Sequence, residues 1–477
     1  MSRHDGIRTL GENGNALPDP ELDYAVSYLA HGHRVTDRNT GPASGAGLHA
    51  SKGERLVRPD NSPGRRRILL AAATVLLAGT LVAGCGSADA GTPTINLYNA
   101  PQQNLGAMVA RCNELADGQY RIKLNTLPRD ADGQREQLVR RLAAGDSGMD
   151  VLGLDVTWTA ELAEAGWIRE WTGANKAAAE KGTLAAPLAT ARYHGKLYAA
   201  PYNTNVQLLW YRDDLLPTPP STWDGLMKAA DRLAAKDKPH YVEVQGAQYE
   251  GLTVWFNSML ASAGGRLMNK AGTKAELGKP AVKALTTMRD FARSKAADPS
   301  MSNMQEDETR LAVEGGRGFA EVNWPFVYPA MQDDKPALAK HFKWAPFPGI
   351  DGPGRSPLGG ANFAVSRYSK HPQQAFRAAL CLRDPANQKI AATKDGLPPT
   401  IESVYHDPEM AKAYPMRDAI LAALHTAAAR PVTPTYQNIS TVVSAALSPP
   451  SAIDPVPVEQ SLRQQIADAI VSKGVLP

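Results

Sequence analysis

The segment from Thr94 to Trp158 constrains the fold more than any other part of the chain. It reads "TINLYNA", "NLGAMVARCNELA", "YRIKLNTLP", "DGQREQLVRRLAAGD" and "MDVLGLDVTW" in that order. The third stretch alternates apolar and polar positions as a strand does, and the second and fourth space apolar residues at helical intervals. The last is a short apolar run suited to a strand buried on both faces. Strand, helix, strand, helix, strand is the grammar of an open α/β sheet. Ligands of such sheets sit beyond the carboxyl ends of the strands, which selects the loops Asn99 to Asn104, Pro128 to Asp132 and Asp155 to Trp158. Asn99, Asn104 and, further on, Glu250 are candidate contacts by loop position.

Downstream, "TAELAEAGWIREW" reads as a helix ending at Gly166, and "GKLYAAPYNTNVQLLWYRDDLL" as two short strands around a polar centre. "STWDGLMKAADRLAA" opens on a Ser/Thr cap, and "LTVWFNSMLASAGG", "VKALTTMRDFARSK" and "EDETRLAVEGG" keep helical spacing. "RGFAEVNW" is a strand, and "HFKWAPFPG" followed by "GGANFAVS" predicts a chain that leaves one lobe and returns to the other. A chain of 477 residues has room for two or three domains, so a hinged pair of lobes is affordable. The formal net charge is only +4, without the concentrated basic face that nucleic-acid binding requires.

The one dense basic run, Arg65-Arg66-Arg67, precedes an apolar stretch from Ile68 to about Val82 and small residues before Cys85. That is the pattern of a secretory signal over 65–85. Leu81-Val82-Ala83-Gly84-Cys85 resembles a bacterial lipobox, which makes Cys85 the expected lipidation site and places the protein outside the cytoplasm on a membrane anchor. The arginines loosely match a twin-arginine signal, so either export route fits. Residues 1–64 lack sustained periodicity and read as disorder or as a misassigned start, with translation expected near Leu56 or Val57; 86–91 is a linker. Cys112 and Cys381 each fall on a helix-like segment, where an oxidising exterior would allow them to pair and a buried site would suit two free thiols. No CxxC, CxxH or HExxH spacing occurs, so neither a metal nor a cofactor is expected.

The order of five segments carries a resemblance. "DVLGLDVTWTAELAEAGWIREW", "GKLYAAPYNTNVQLLWYRDDLL" with "PSTWDGLMKAADRLA", "FAEVNWPF", "GGANFAVSRYSKHPQQAFRAALCLRD" and "DGLPPTIESVYHDPEM" follow one another in this chain. Together they resemble the extracytoplasmic sugar-binding proteins of ABC importers, the family that includes the maltodextrin-binding proteins. Within it, "EGLTVWFNSMLASAGG", "EVNWPF", "KAYPM" and "ARPVTPTYQ" are most similar to trehalose-binding lipoproteins of actinobacterial importers. The resemblance implies an α/β protein with a two-lobed periplasmic-binding-protein-like fold, a hinge and an interlobe ligand cleft. One lobe would comprise 92–203 and 358–400, the other 204–357 and 401–477. It further implies a non-enzymatic monomer that captures trehalose, or a related disaccharide, and delivers it to permease subunits in the membrane. A different oligosaccharide or polyol is the alternative cargo. A secreted glycoside hydrolase, or a solute sensor for a membrane kinase, is the alternative class.

A sugar presents hydroxyls that donate and accept at once, together with apolar C–H faces. Its site therefore needs carboxylates, amides or guanidinium groups, and aromatic planes. By the resemblance, Asp155 and Asn205 contact sugar hydroxyls, where they would otherwise read as a helix cap and a turn amide. Glu306 does the same within "QEDE", with Asp307 and Glu308 as alternatives in an open register. Arg430 would reach the sugar with its planar fork, and Gly360, within Gly359-Gly360-Ala361-Asn362, would let backbone approach the ligand. Trp324, set between Asn323 and Pro325 at a strand end, fits core or cleft wall by composition, and the resemblance makes it the wall. Trp158 and Trp255 read as core.

Overall fold

The computed structural model describes residues 91–472. Segment 1–64, the signal-like stretch with Cys85 and the linker up to residue 90 lie outside them. The described strands are β1 (Thr94–Asn99), β2 (Arg121–Thr126), β3 (Val151–Asp155), β4 (Arg192–Tyr193), β5 (Lys196–Leu197), β6 (Ala199–Val206), β7 (Leu208–Arg212), β8 (Tyr241–Glu243), β9 (Gly318–Asn323), β10 (Phe342–Ala345) and β11 (Leu358–Val365).

The first sheet has the order β2-β1-β3-β11-β6. Its β1, β2 and β3 are parallel, as the opening alternation of strand and helix predicts, and β11 runs antiparallel to both β3 and β6. The second sheet, β10-β7-β9-β8, takes its strands from the middle of the chain, and β4 and β5 form a separate pair. Each large sheet has its own core. Leu97, Leu152, Phe363 and Trp171 are buried in the first, where Trp171 meets Phe376 edge-on at 4.8 Å. Trp223, Trp255, Phe291 and Phe319 are buried in the second, with Trp223 and Phe291 rings 5.1 Å apart. Burying each such side chain is worth roughly 1.5–3 kcal/mol, which is what holds two separate sheets in one chain. Trp158 belongs to the first core and Trp255 to the second.

A third cluster, including Val206, Leu208, Trp210, Met331, Tyr405 and Tyr414, packs where the chain passes between the sheets. The polar centre of "PYNTNVQLL" does not form a turn. Asn203, Thr204 and Asn205 lie inside β6, opposite Ala361, Gly360 and Gly359 of β11. The expected boundary at 203/204 thus falls within a strand that stays paired up to Val206 against Leu358. Gly360 explains why the polar strand can pack this closely. Its φ is +124°, and a Cβ there would lie 2.4 Å from the Asn203 carbonyl oxygen. The close approach that this glycine permits is to β6 backbone.

Cys112, in the helix Leu105–Leu115, and Cys381, in the helix Pro372–Leu382, are joined as a disulfide. The bond ties two helices of the first core across 269 residues of sequence. Closing so long a loop chiefly limits the unfolded chain, an effect of about 2–5 kcal/mol. Replacing both cysteines with alanine is expected to lower the urea-unfolding free energy by that amount, and an unchanged midpoint would contradict a structural role for the bond.

Candidate ligand-binding site

The carboxyl end of β3 presents Asp155 beside the amino end of β11, with Ala361 opposite it in register. Asp155 does not cap the following helix. Its Oδ1 accepts from the Thr157 amide at 2.9 Å and the Thr157 hydroxyl at 2.7 Å, a local turn that fixes the carboxylate at the strand end. Arg430 reaches it from the loop after the helix Arg417–Thr426, with Nη2 at 3.1 Å from Asp155 Oδ1. The other arm of the same guanidinium donates to Glu250 Oε1 at 2.5 Å. Glu250 opens the helix Glu250–Ser262, and Tyr436 donates to its Oε1 at 2.6 Å while Ser440 donates to its Oε2.

Arg430 is 6 % exposed, so its charge is affordable only because it is paired. Burial works against the cation, but Asp155, then Tyr436 and Glu250, raise its pKa further still. Glu250 shows the opposite balance, with desolvation raising its pKa against the lowering effects of Arg430, Ser440 and Tyr436. Both Glu250 oxygens are engaged by protein donors, which makes this residue a mount for Arg430. Arg430 Nε, in contrast, is buried with no hydrogen-bond partner. Asp132, from a loop that the strand ends had selected, accepts from Gln437 Nε2 at 3.1 Å and joins the same region. Desolvation raises its pKa.

A second group lies at the carboxyl end of β9. Trp324 is half-buried and its six-membered ring covers Gly359, where a Cβ would come within 2.9 Å of the indole and 3.4 Å of Asn205 Cβ. Any side chain at position 359 would displace the ring. Tyr249 and Trp324 lie against the Glu306 carboxyl, whose pKa is raised by burial and lowered by both neighbours. The three acids of "QEDE" differ in what each touches. Asp307 pairs with Arg129 at 2.7 Å, and Glu308 accepts from the Gln305 amide at 3.1 Å as a capping box. Of the three, Glu306 has its carboxyl in contact with both Trp324 and Tyr249. The Tyr249 hydroxyl is buried without a hydrogen bond of ordinary geometry, a donor that sequence reasoning missed. Its signal was present only as an aromatic one residue before Glu250.

Of the remaining candidates, Asn99 and Asn104 are placed away from these two groups and Asn205 lies beside Trp324. Asn99 is buried, donates to the Ala100 carbonyl at 3.0 Å and fills space that Gly153 leaves open. Asn104 donates to Asp395 at 2.5 Å and lines a cavity of about 290 Å³ with Tyr328, Lys394 and Tyr414. Asn205 Oδ1 accepts the Val206 amide at 3.1 Å, so this amide is a strand residue beside Trp324. Among the described residues, Asp213, Asp214 and His341 are the group whose ligand atoms approach closely enough to hold a cation. Asp214 is already paired with Arg212, and Asp213 with His341 and Lys343.

The arrangement sets one mounted guanidinium, one strand-end carboxylate, a half-buried acid and an indole face around the Gly359 to Ala361 stretch of β11 and the start of the helix Glu250–Ser262. It offers paired hydrogen bonds and a stacking plane and so suits an uncharged polyhydroxylated ligand. Comparison with known proteins agrees in fold and family. A protein-family model described as "Bacterial extracellular solute-binding protein" matches residues 108–389. A probable ABC transporter-binding protein of Deinococcus radiodurans is 30% identical over 370 residues, covering 72% of this chain and 86% of that protein. Among solved structures, maltose-bound MalE3 of T. maritima superposes with a TM-score of 0.73 at 25% identity, covering 79% of this chain and 99% of that one. The GacH receptor of Streptomyces glaucescens, solved unliganded and with acarbose, gives a TM-score of 0.69 at 21% identity over 80% of this chain and 100% of that one. The two sheets with separate cores are thus the two lobes of this fold, and the chain belongs to the bacterial extracellular solute-binding proteins.

Proposed function

We propose that this protein is the substrate-binding component of an ABC sugar importer and that its cargo is trehalose or a closely related disaccharide. The observation that carries this reading is the Asp155–Arg430–Glu250 group. It joins the end of the first sheet to a helix packed in the second core. A guanidinium held by two carboxylates from the two lobes presents a ready partner for adjacent sugar hydroxyls, which exchange hydrogen bonds with it as the lobes close. Trp324 supplies an apolar plane for one ring, worth on the order of 1–2 kcal/mol by analogy with other aromatic stacking. Trehalose is uncharged and lacks a reducing end, so polar groups at both ends of the cleft match it. The resemblance to the trehalose-binding lipoprotein LpqY favours this disaccharide over the maltose bound by MalE3 of T. maritima. Lipidation at Cys85, export by either route, transfer to permease subunits and a monomeric state belong to the same reading, as does a lobe division at 357/358 and 400/401.

Hydrolysis of a glycosidic bond needs two carboxyl groups across it, one as acid and one as nucleophile or base. Here Asp155 is committed to Thr157 and Arg430, and Glu306 lies against Tyr249 and Trp324. A binding role follows more directly from these partners. Calorimetry is expected to give one-site binding of trehalose, little response to maltose and no glucose in the cell afterwards. Comparable maltose affinity would refute the specificity, and glucose release at enzymatic rates would end the binding-protein reading.

Arg430→Ala and Asn205→Ala are each expected to weaken trehalose binding by about 1.5–3 kcal/mol, the cost of an unmet polar group in a dry site. Arg430→Lys keeps the charge without the planar fork and should fall in between. Thermal melts would establish that each variant is folded. Wild-type affinity in a folded variant would remove that residue from the site.

A further inference from the structure

Beneath Trp324 and Glu306 lie buried acids that ligand contact does not use. Glu243 on β8 and Glu321 on β9 are partners in the strand register. They are 1% and 0% exposed. Neither Glu243 carboxylate oxygen has a hydrogen-bond partner, and Glu321 Oε1 has none. Glu321 Oε2 accepts from Asn323 Nδ2 at 2.7 Å. The same amide nitrogen lies 3.0 Å from the Glu306 carbonyl oxygen and 2.9 Å from Thr309 Oγ1. Asn323 Oδ1 accepts the backbone amide of Trp324 at 2.8 Å. One buried side chain therefore links Glu321 to both residues of the cleft wall.

We propose that Glu321, kept neutral beside Glu243, is a positioning residue for the ligand site, acting through Asn323 on Trp324 and Glu306, so that ligand affinity depends on protonation. The inference rests on the reading of that wall as a sugar contact. The charged groups packed around the pair are already committed. Asp298 pairs with Arg317 at 3.1 Å at the approach to β9. From the helix Glu306–Glu314, Arg310 pairs with Glu314 at 2.6 Å, Asp334 at 2.8 Å and Asp307 at 3.5 Å. Among the described residues, no cation forms an ion pair with Glu243 or Glu321: Arg317 and Arg310 act on them only from beyond ion-pair distance and lower their pKa less than burial raises it, so the two facing carboxyls favour the neutral form.

Burial, then the charge of Asp298, holds the Glu243 carboxyl at about 8. Burial holds Glu321 at about 8 as well, with the Asn323 hydrogen bond opposing and Glu314 adding to the rise. Both values exceed the ordinary 4.5, so the folded protein retains protons that the unfolded chain releases. The stability contributed is full below pH about 4.5 and is lost as pH rises through about 8. Above that, a charged Glu321 competes with the Glu306 carbonyl and Thr309 for the Asn323 amide hydrogens and loosens the support of Trp324.

The test follows trehalose affinity by calorimetry and melting temperature without ligand from pH 6 to pH 9.5. Wild-type protein is expected to lose about threefold or more in affinity and to melt lower at the alkaline end. Glu321→Gln, which keeps the shape of the neutral carboxyl, should flatten both profiles, and Glu243→Gln should reduce both slopes. A flat wild-type profile, or Gln variants with the wild-type slope, would overturn the proposal. Absence of trehalose binding at every pH would defeat the sugar reading by itself. The emission difference between wild type and Trp324→Phe over the same range would then decide the positioning role: a change with pH that Glu321→Gln abolishes supports it, and a constant difference refutes it.

Discussion

The pairing of Arg430 with Asp155 and Glu250 is the interaction on which the organisation of the site depends. A buried guanidinium is tolerated only where carboxylates surround it, and here they come from the end of β3 and the start of the helix Glu250–Ser262. The Tyr436 and Ser440 hydroxyls complete the Glu250 carboxylate, so a helix late in the chain is also tied into the arrangement. Arg129 with Asp307 and Asp132 with Gln437 make further links between loops of the first sheet and helices that pack with the second. These exposed or half-exposed contacts are individually weak. They can be broken at little cost.

Much of the fold is legible in the sequence because its parallel strands and amphipathic helices alternate without interruption from Thr94 to Asp155. The excursion from β10 back to β11 is legible for a related reason: the apolar "HFKWA" and "GGANFAV" are separated by a run of Gly and Pro. What periodicity misreads is β6. Asn203, Thr204 and Asn205 look like a turn, yet they pair with β11, which buries Asn203 and Thr204, and Gly360 permits the close approach. Local polarity carries no information about a partner strand more than a hundred residues away.

The site divides along the same line. Asp155 stands at a strand end, where topology concentrates ligands, and its position is legible from the strand alone. Glu306 is separable from Asp307 and Glu308 only through what each touches, because all three occupy the first turn of one helix. Glu250 is a candidate from the sequence by loop position only, and its part as a mount is not legible there, since that is set by Arg430, Tyr436 and Ser440 from a distant segment. The Glu243–Glu321 pair leaves no pattern in the sequence, because an unpartnered buried polar group is defined by what fails to surround it.

Trp324 joins these strands of the account. Its ring covers Gly359, its backbone is held by Asn323, and Glu306 lies at its edge. If the cleft takes a disaccharide, this indole changes environment when the ligand arrives. Intrinsic tryptophan emission during a trehalose titration tests that most directly. A saturable change in wild type that is lost in a folded Trp324→Phe variant is the predicted result. An unchanged spectrum at saturating trehalose, or the same change in the variant, would contradict it.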